Sequence, residues 1–330
     1  MNSKPYIPPS GMGDDSLRNY LVEEFVEDYQ DGRISRREAL KKLASIFGSM
    51  AIATTFLAAC APAPTATPMP PTATIPKPTT APTAASSSSV GVASPLSVSA
   101  DDPTIEAKMV DFNSGADTIM AYLAKPKGDG PFPIVLVCHE NRGLTDHIKD
   151  VTRRAAKAGY ASLAVDLLSR EGGTDKVGAN VTGVLGNAQP QRFVDDFRAG
   201  LVYMQGQAFV RKDRAGMVGF CFGGGVTWLC AEQIADLKAV VPFYGPNPPL
   251  QDVGKIQAAV LAFYGALDTR IDAGIPDIEN ALKQNGKTFE KMIYPNANHA
   301  FNNDTGASYN ADAAKDAWAR TLTWFAKYLS

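Results

Sequence analysis

The chain has 330 residues, 45% of them apolar and 20% charged, a globular usage that excludes a collagen-like repeat, a coiled-coil rod and a wholly disordered chain. The formal charge of −2 is evenly spread, with −1 in the first 59 residues, so no basic field exists to draw nucleic acid. Four cysteines cannot build a disulfide scaffold in a chain of this length, and three histidines (His139, His147 and His299) leave few places for imidazole chemistry.

Residues 16–31 set Leu17, Leu21, Phe25 and Tyr29 at helical spacing with carboxylates between them, which predicts an amphipathic helix. It precedes Ser35-Arg36-Arg37-Glu38-Ala39-Leu40-Lys41-Lys42 and a weakly polar run over 43–59 that ends in Leu57-Ala58-Ala59-Cys60. Cations ahead of a short apolar stretch resemble an export signal, and the arginine pair resembles the twin-arginine type. The four residues ending at Cys60 resemble a bacterial lipobox, in which the cysteine is acylated and becomes the new N-terminus. Residues 1–59 are therefore read as an export leader whose first helix awaits removal, and Cys60 as a lipid-bearing residue that attaches the protein to the outer face of the cytoplasmic membrane. An uncleaved anchor is the second reading, since 17 mostly apolar residues lie at the short end of what spans a bilayer.

Residues 61–100 hold nine of the 23 prolines, many Thr, Ala and Ser, and a single charged side chain, Lys77. Such a composition favours extended chain, so 60–104 reads as a tether.

From 105 onwards the pattern changes to short β-rich runs that alternate with helical ones. Runs at 107–112 and 118–124 flank the turn residues Asn113-Ser114-Gly115 and predict an antiparallel pair. Buried strands are expected at 134–138, 161–165, 215–219, 239–243, 260–264 and 289–294, with helices near 147–158, 191–206, 223–235, 274–285 and 311–328. Strands that are apolar throughout and alternate with helices predict an α/β class, with a mainly parallel, doubly wound sheet flanked by helices. Residues 105–330 make one domain of this kind.

Reactive groups in such a sheet belong at the carboxyl ends of the strands. The most informative end is Gly219-Phe220-Cys221-Phe222-Gly223-Gly224: a strand turning at once into a helix holds its corner residue in strained geometry, and flanking glycines make room for the turn. Cys221 occupies the corner as a nucleophile. His299, beyond the last strand, is the candidate base, and Asp268, beyond the strand before it, is the candidate acid, with Asp272 as the fallback. The chain order nucleophile, acid, histidine is that of α/β-hydrolases. Cys138 and Cys230 read as structural, and His139 and His147 lie too near the third strand's end to serve as base.

These residues together identify a resemblance. Residues 105–330 are similar to the dienelactone hydrolase family of α/β-hydrolases, through Gly-Phe-Cys-Phe-Gly-Gly at 219–224, Gly-Ala-Leu-Asp ending at 268, His-Ala-Phe at 299–301, and Glu140 followed by Gly143. The resemblance implies the α/β-hydrolase fold, a thiol nucleophile acting on a small ester or lactone, and a strand-end glutamate, Glu140, that manages the thiol proton. The backbone N–H groups of Phe222 and Asn141 take the oxyanion positions, one after the nucleophile and one in the third strand's loop. Asn303 stands where family members acting on dienelactones place an arginine for the substrate carboxylate, so the bond chemistry carries over while the substrate differs. Asn303, Phe301 and Tyr244 are expected to contact substrate. No cofactor or metal is expected, because no His, Cys and carboxylate group falls at ligand spacing in the sequence. The expected protein is a monomeric, exported, lipid-anchored hydrolase of small esters or lactones. The alternative, which the lost arginine favours, is a ligand-binding lipoprotein that keeps the fold without turnover.

Overall fold

In the computed structural model, which describes residues 16–59 and 94–330, eight strands join one sheet in the order β1-β2-β4-β3-β5-β6-β7-β8. The hairpin β1 (Ile105–Ser114) and β2 (Asp117–Pro126) is antiparallel, and β2 also runs antiparallel to β4 (Ala161–Val165). From β4 the sheet is parallel through β3 (Phe132–Cys138), β5 (Val210–Phe220), β6 (Leu237–Phe243), β7 (Ala259–Gly265) and β8 (Phe289–Tyr294). All eight predicted strands form, and those at 161–165 and 289–294 keep their predicted limits.

The inner parallel strands are apolar because helices cover both faces, whereas β8, expected to be buried, is an edge strand carrying Glu290 and Lys291 with no fully buried residue. These are α4 (Asp146–Lys157), α7 (Pro190–Gln205), α8 (Phe222–Gln233), α10 (Ile275–Gln284) and α11 (Ala311–Leu329), each close to a predicted helix. Helix α8 is buried from Phe222 to Glu232, since it lies against β5 and β6 and is covered in turn by other helices. The crossover from β4 to α7 carries the short helices α5 (Thr174–Val177) and α6 (Val181–Asn187), in a stretch where no helix is expected from periodicity.

The N-terminal region folds onto this body as α1 (Ser16–Gln30), α2 (Arg36–Phe47) and α3 (Met50–Ala59). Ser35 caps α2 in a reciprocal capping box with Glu38, and Gly48, with a φ of 70°, ends it in the left-handed region that glycine enters without a Cβ clash. The 43–59 apolar run is thereby split between two short helices, and among the described residues no helix is long and apolar enough to cross a membrane. Helix α1 is expected as part of a leader awaiting removal, and in the full chain it packs on the catalytic unit. Leu17, Tyr20, Leu21, Val22 and Phe25 are buried in the same core as the sheet's helices. The tether also ends earlier than expected: Val98 is buried, and its N–H donates to Asp150 Oδ1 at 2.7 Å. Cys60 and most of the tether lie outside the described residues.

Candidate active site

Strand β5 ends at Phe220 and α8 begins at Phe222, which leaves Cys221 alone at the corner with φ 58° and ψ −123°. Glycine permits this turn by absence. A Cβ on Gly219 would lie 2.2 Å from the Gly223 carbonyl oxygen, and one on Gly223 would lie 2.4 Å from that of His139. Among the described residues the non-glycine positions with positive φ are Cys221, Tyr244 and Ala300, all at carboxyl ends of the sheet beside the corner, so backbone strain is concentrated at the site.

His299 arrives on the loop after β8, and its Nδ1 lies 2.5 Å from Oδ2 of the fully buried Asp268. Asp268 also accepts the Ile271 N–H at 3.3 Å as cap of the short α9 (Thr269–Asp272), which fixes its carboxylate. Burial alone would pull the imidazole down, but Asp268 overrides it and holds His299 well above its ordinary value. Burial would likewise raise the Asp268 carboxyl, and His299 overrides that too, so it sits below the usual carboxylate range. Asp272, the fallback acid, stays outside this pair, with burial raising it to about 6.

Two side chains that sequence reasoning did not assign complete the cluster, both from α1. Tyr20 places its hydroxyl 3.1 Å from Cys221 Sγ and 3.2 Å from His299 Nε2, and Glu24 places both carboxylate oxygens 3.7 Å from Sγ. Burial, and after it the Glu24 charge, push the Cys221 thiol up, against a smaller opposing pull from His299. Burial, then Cys221 and Glu24, also push Tyr20 well up, so its phenol keeps its proton and has one hydrogen to share between sulfur and nitrogen. The only sequence signal for α1 was its unpartnered apolar stripe; Tyr20 and Glu24, one turn apart, lie beside that stripe.

The resemblance expected Glu140 to meet the thiol. Instead Glu140 Oε2 accepts the Asn303 amide at 2.7 Å, while Oε1 is buried without a partner among the described residues, and the carboxylate touching the thiol is Glu24. Asn303 lines the cavity above Cys221, so the neutral residue in place of the family's arginine holds Glu140. Phe301 and Tyr244, expected against substrate, do not line that cavity. Both are fully buried, and Tyr244 sets its ring edge-on to His299 with centroids 5.0 Å apart, a packing support for the imidazole. Phe222 opens α8, so its N–H has no acceptor within the helix, and Asn141 faces the cavity while its side-chain amide donates to Glu24 Oε1 at 3.0 Å. His139 and His147 are held elsewhere, by the Glu140 carbonyl and by Asp304.

Glu24, Cys221 and His299 bring one ligand atom each within 4.8 Å of one another, a set able to grip a soft cation such as zinc. Spacing in sequence could not show this group, because its members come from α1, the β5 corner and the last loop.

The comparisons with known proteins agree with this geometry. A "Putative carboxymethylenebutenolidase" of Methylorubrum extorquens is 35% identical over 251 residues, covering 72% of this chain and 86% of its own. A crystal structure named "Putative Dienelactone Hydrolase", from Klebsiella pneumoniae, superposes with a TM-score of 0.64 at 33% identity, over 68% of this chain and 99% of that one. A dienelactone hydrolase-like promiscuous phosphotriesterase from metagenomic libraries gives 0.60 at 26% identity, over 69% and 100%. The sequence pattern of the dienelactone hydrolase family matches residues 119–329, from β2 to the end of α11, and the chain belongs to that family.

Proposed function

We propose that the protein hydrolyses small esters or lactones through Cys221, His299 and Asp268. The observation that carries this reading is the 2.5 Å Asp268–His299 contact behind an imidazole that shares Tyr20 with a thiol at a strained strand-to-helix corner. In the reaction Cys221 gives its proton to His299 Nε2 as sulfur adds to the acyl carbon. The carbonyl oxygen becomes an oxyanion held by the Phe222 and Asn141 N–H groups. Collapse breaks the ester C–O bond, and the departing oxygen takes the proton from His299. Water then adds to the thioester with His299 as base, and sulfur leaves as thiol. Enol lactones suit a thiol, because the enolate they release departs more readily than a simple alkoxide. The names of the relatives support this substrate class, and Asn303 argues against a substrate held by a carboxylate–arginine pair. Activity on p-nitrophenyl esters and lactones, compared with Cys221→Ala, tests the reading: loss of turnover is expected, and a variant as fast as the parent would remove Cys221 as nucleophile.

The leader is part of the same proposal. The Arg36-Arg37 pair, exposed at the start of α2, and the Leu57-Ala58-Ala59-Cys60 run support an exported, lipid-anchored protein. Lipid label should enter the protein and be lost in Cys60→Ala; label that persists in the variant contradicts the lipobox.

A further inference from the structure

Helix α1 occupies the ground that the reaction needs. The Tyr20 hydroxyl reaches both catalytic atoms, Sγ at 3.1 Å and Nε2 at 3.2 Å, and takes up a hydrogen-bonding position on each. The Glu24 carboxylate, a planar anion resembling an acyl group, lies 3.7 Å from Sγ and 3.0 Å from the amide of Asn141, the residue whose backbone N–H is assigned to the oxyanion. The space left beside Cys221 is about 270 Å³. That is just below the range of about 300–1,000 Å³ usual for small-molecule sites.

We propose that, while the leader helices remain attached, α1 is a built-in plug: seated, it fills the acyl position with Glu24 and caps Sγ and Nε2 with the Tyr20 hydroxyl, and turnover requires its displacement. The proposal rests on the Cys221 hydrolase reading. Its seat is shaped for it. A Cβ on Gly225 would stand 2.8 Å from Leu17 Cδ2, so an absent side chain in α8 receives the helix. Arg270, two residues after Asp268, lays its guanidinium 4.7 Å over the Tyr20 ring and donates to Glu27 Oε2 at 2.8 Å. In sequence, residues 60–93 join the leader helices to the catalytic unit, so one cut there turns an intramolecular plug into a separate ligand that dilution removes.

The test uses the full chain with a specific protease site inserted within 62–93. Alkylation of Cys221 by iodoacetamide, followed by mass spectrometry, and p-nitrophenyl ester hydrolysis are measured intact, then after cutting and dilution. Both should rise about tenfold or more, because a helix seated in most molecules withholds the competent state in proportion to its occupancy. Leu21→Asp in the uncut chain should give the same rise, and covers the case in which the cut helix stays bound. Alkylation unchanged in both arms, or ester hydrolysis that falls as the helix leaves, would overturn the plug. Alkylation that rises while ester hydrolysis stays absent supports the plug and sinks the hydrolase reading.

Discussion

Replacing Asp268 by Asn keeps the shape of the side chain and removes its charge from a fully buried place 2.5 Å from His299 Nδ1. The carboxylate does two things for the reaction: it fixes the tautomer that leaves Nε2 free to take the thiol proton, and it stabilises the imidazolium that results. An amide can donate to Nδ1 and select the wrong tautomer, so kcat/KM on a p-nitrophenyl ester should fall about 10³–10⁴-fold, or about 4–5.5 kcal/mol of transition-state stabilisation. Folding should also weaken, by about 1–3 kcal/mol, because one member of a buried pair loses its charge while the other keeps a neutral hydrogen bond. The sign of the pH dependence follows from the two shifts. His299 is raised on folding, so its share of stability is complete below the unfolded value of about 6.5 and is lost as pH rises through its folded value. Asp268 is lowered, so its share is present above about 3.9 and is lost as pH falls through its folded value. The stability gap between parent and variant, from urea unfolding, should therefore be widest between about pH 4 and 6.5. Parent and variant with kcat/KM within tenfold of each other, or a stability gap that grows above that window, would refute the pairing argument.

Gly219→Ala forces a Cβ to within 2.2 Å of the Gly223 carbonyl and 2.3 Å of Thr227 Oγ1, so the corner must move; a loss of about 3 kcal/mol or more is expected in urea unfolding, with activity lost as well. Asn303→Asp sets a second carboxylate against Glu140, whose Oε2 now accepts the amide at 2.7 Å. The shared site raises a carboxyl pKa, so the variant should be near parental stability in acid and lose about 2–3 kcal/mol as pH rises past the ordinary carboxylate range. Asp304, which accepts His147 Nδ1 at 2.9 Å and pairs with Arg154, is held below the carboxylate range by these two partners against the opposing effect of burial, which is the largest single influence. Asp304→Asn should cost about 2–3 kcal/mol near neutrality, a gap that closes as acid titrates the parent carboxylate; a gap independent of pH would contradict the ion-pair account.

The fold was legible because its signals are local. Apolar runs such as 161–165 and 239–243 name their strands wherever the strands lie, and the glycines around Cys221 mark a corner in a handful of adjacent residues. Asp268 and His299 could be placed from chain order alone, since a sheet gathers the ends of its strands on one side. The roles of Glu140, Tyr244 and Phe301 were less legible, because direction is not written in residue type: Glu140 Oε2 is taken up by Asn303, Tyr244 packs against the imidazole, and Phe301 packs against Tyr244 rather than lining the cavity.

The stripe of Leu17, Leu21 and Phe25 established by itself that α1 has a face needing cover, but not what covers it. That depended on the absent side chain at Gly225, more than two hundred residues away, and on Arg270 above Tyr20. Periodicity fixes which residues share a helix face, whereas the surface that receives the face is made by tertiary packing. The meeting of Tyr20 and Glu24 with the thiol is therefore a property of the folded chain alone.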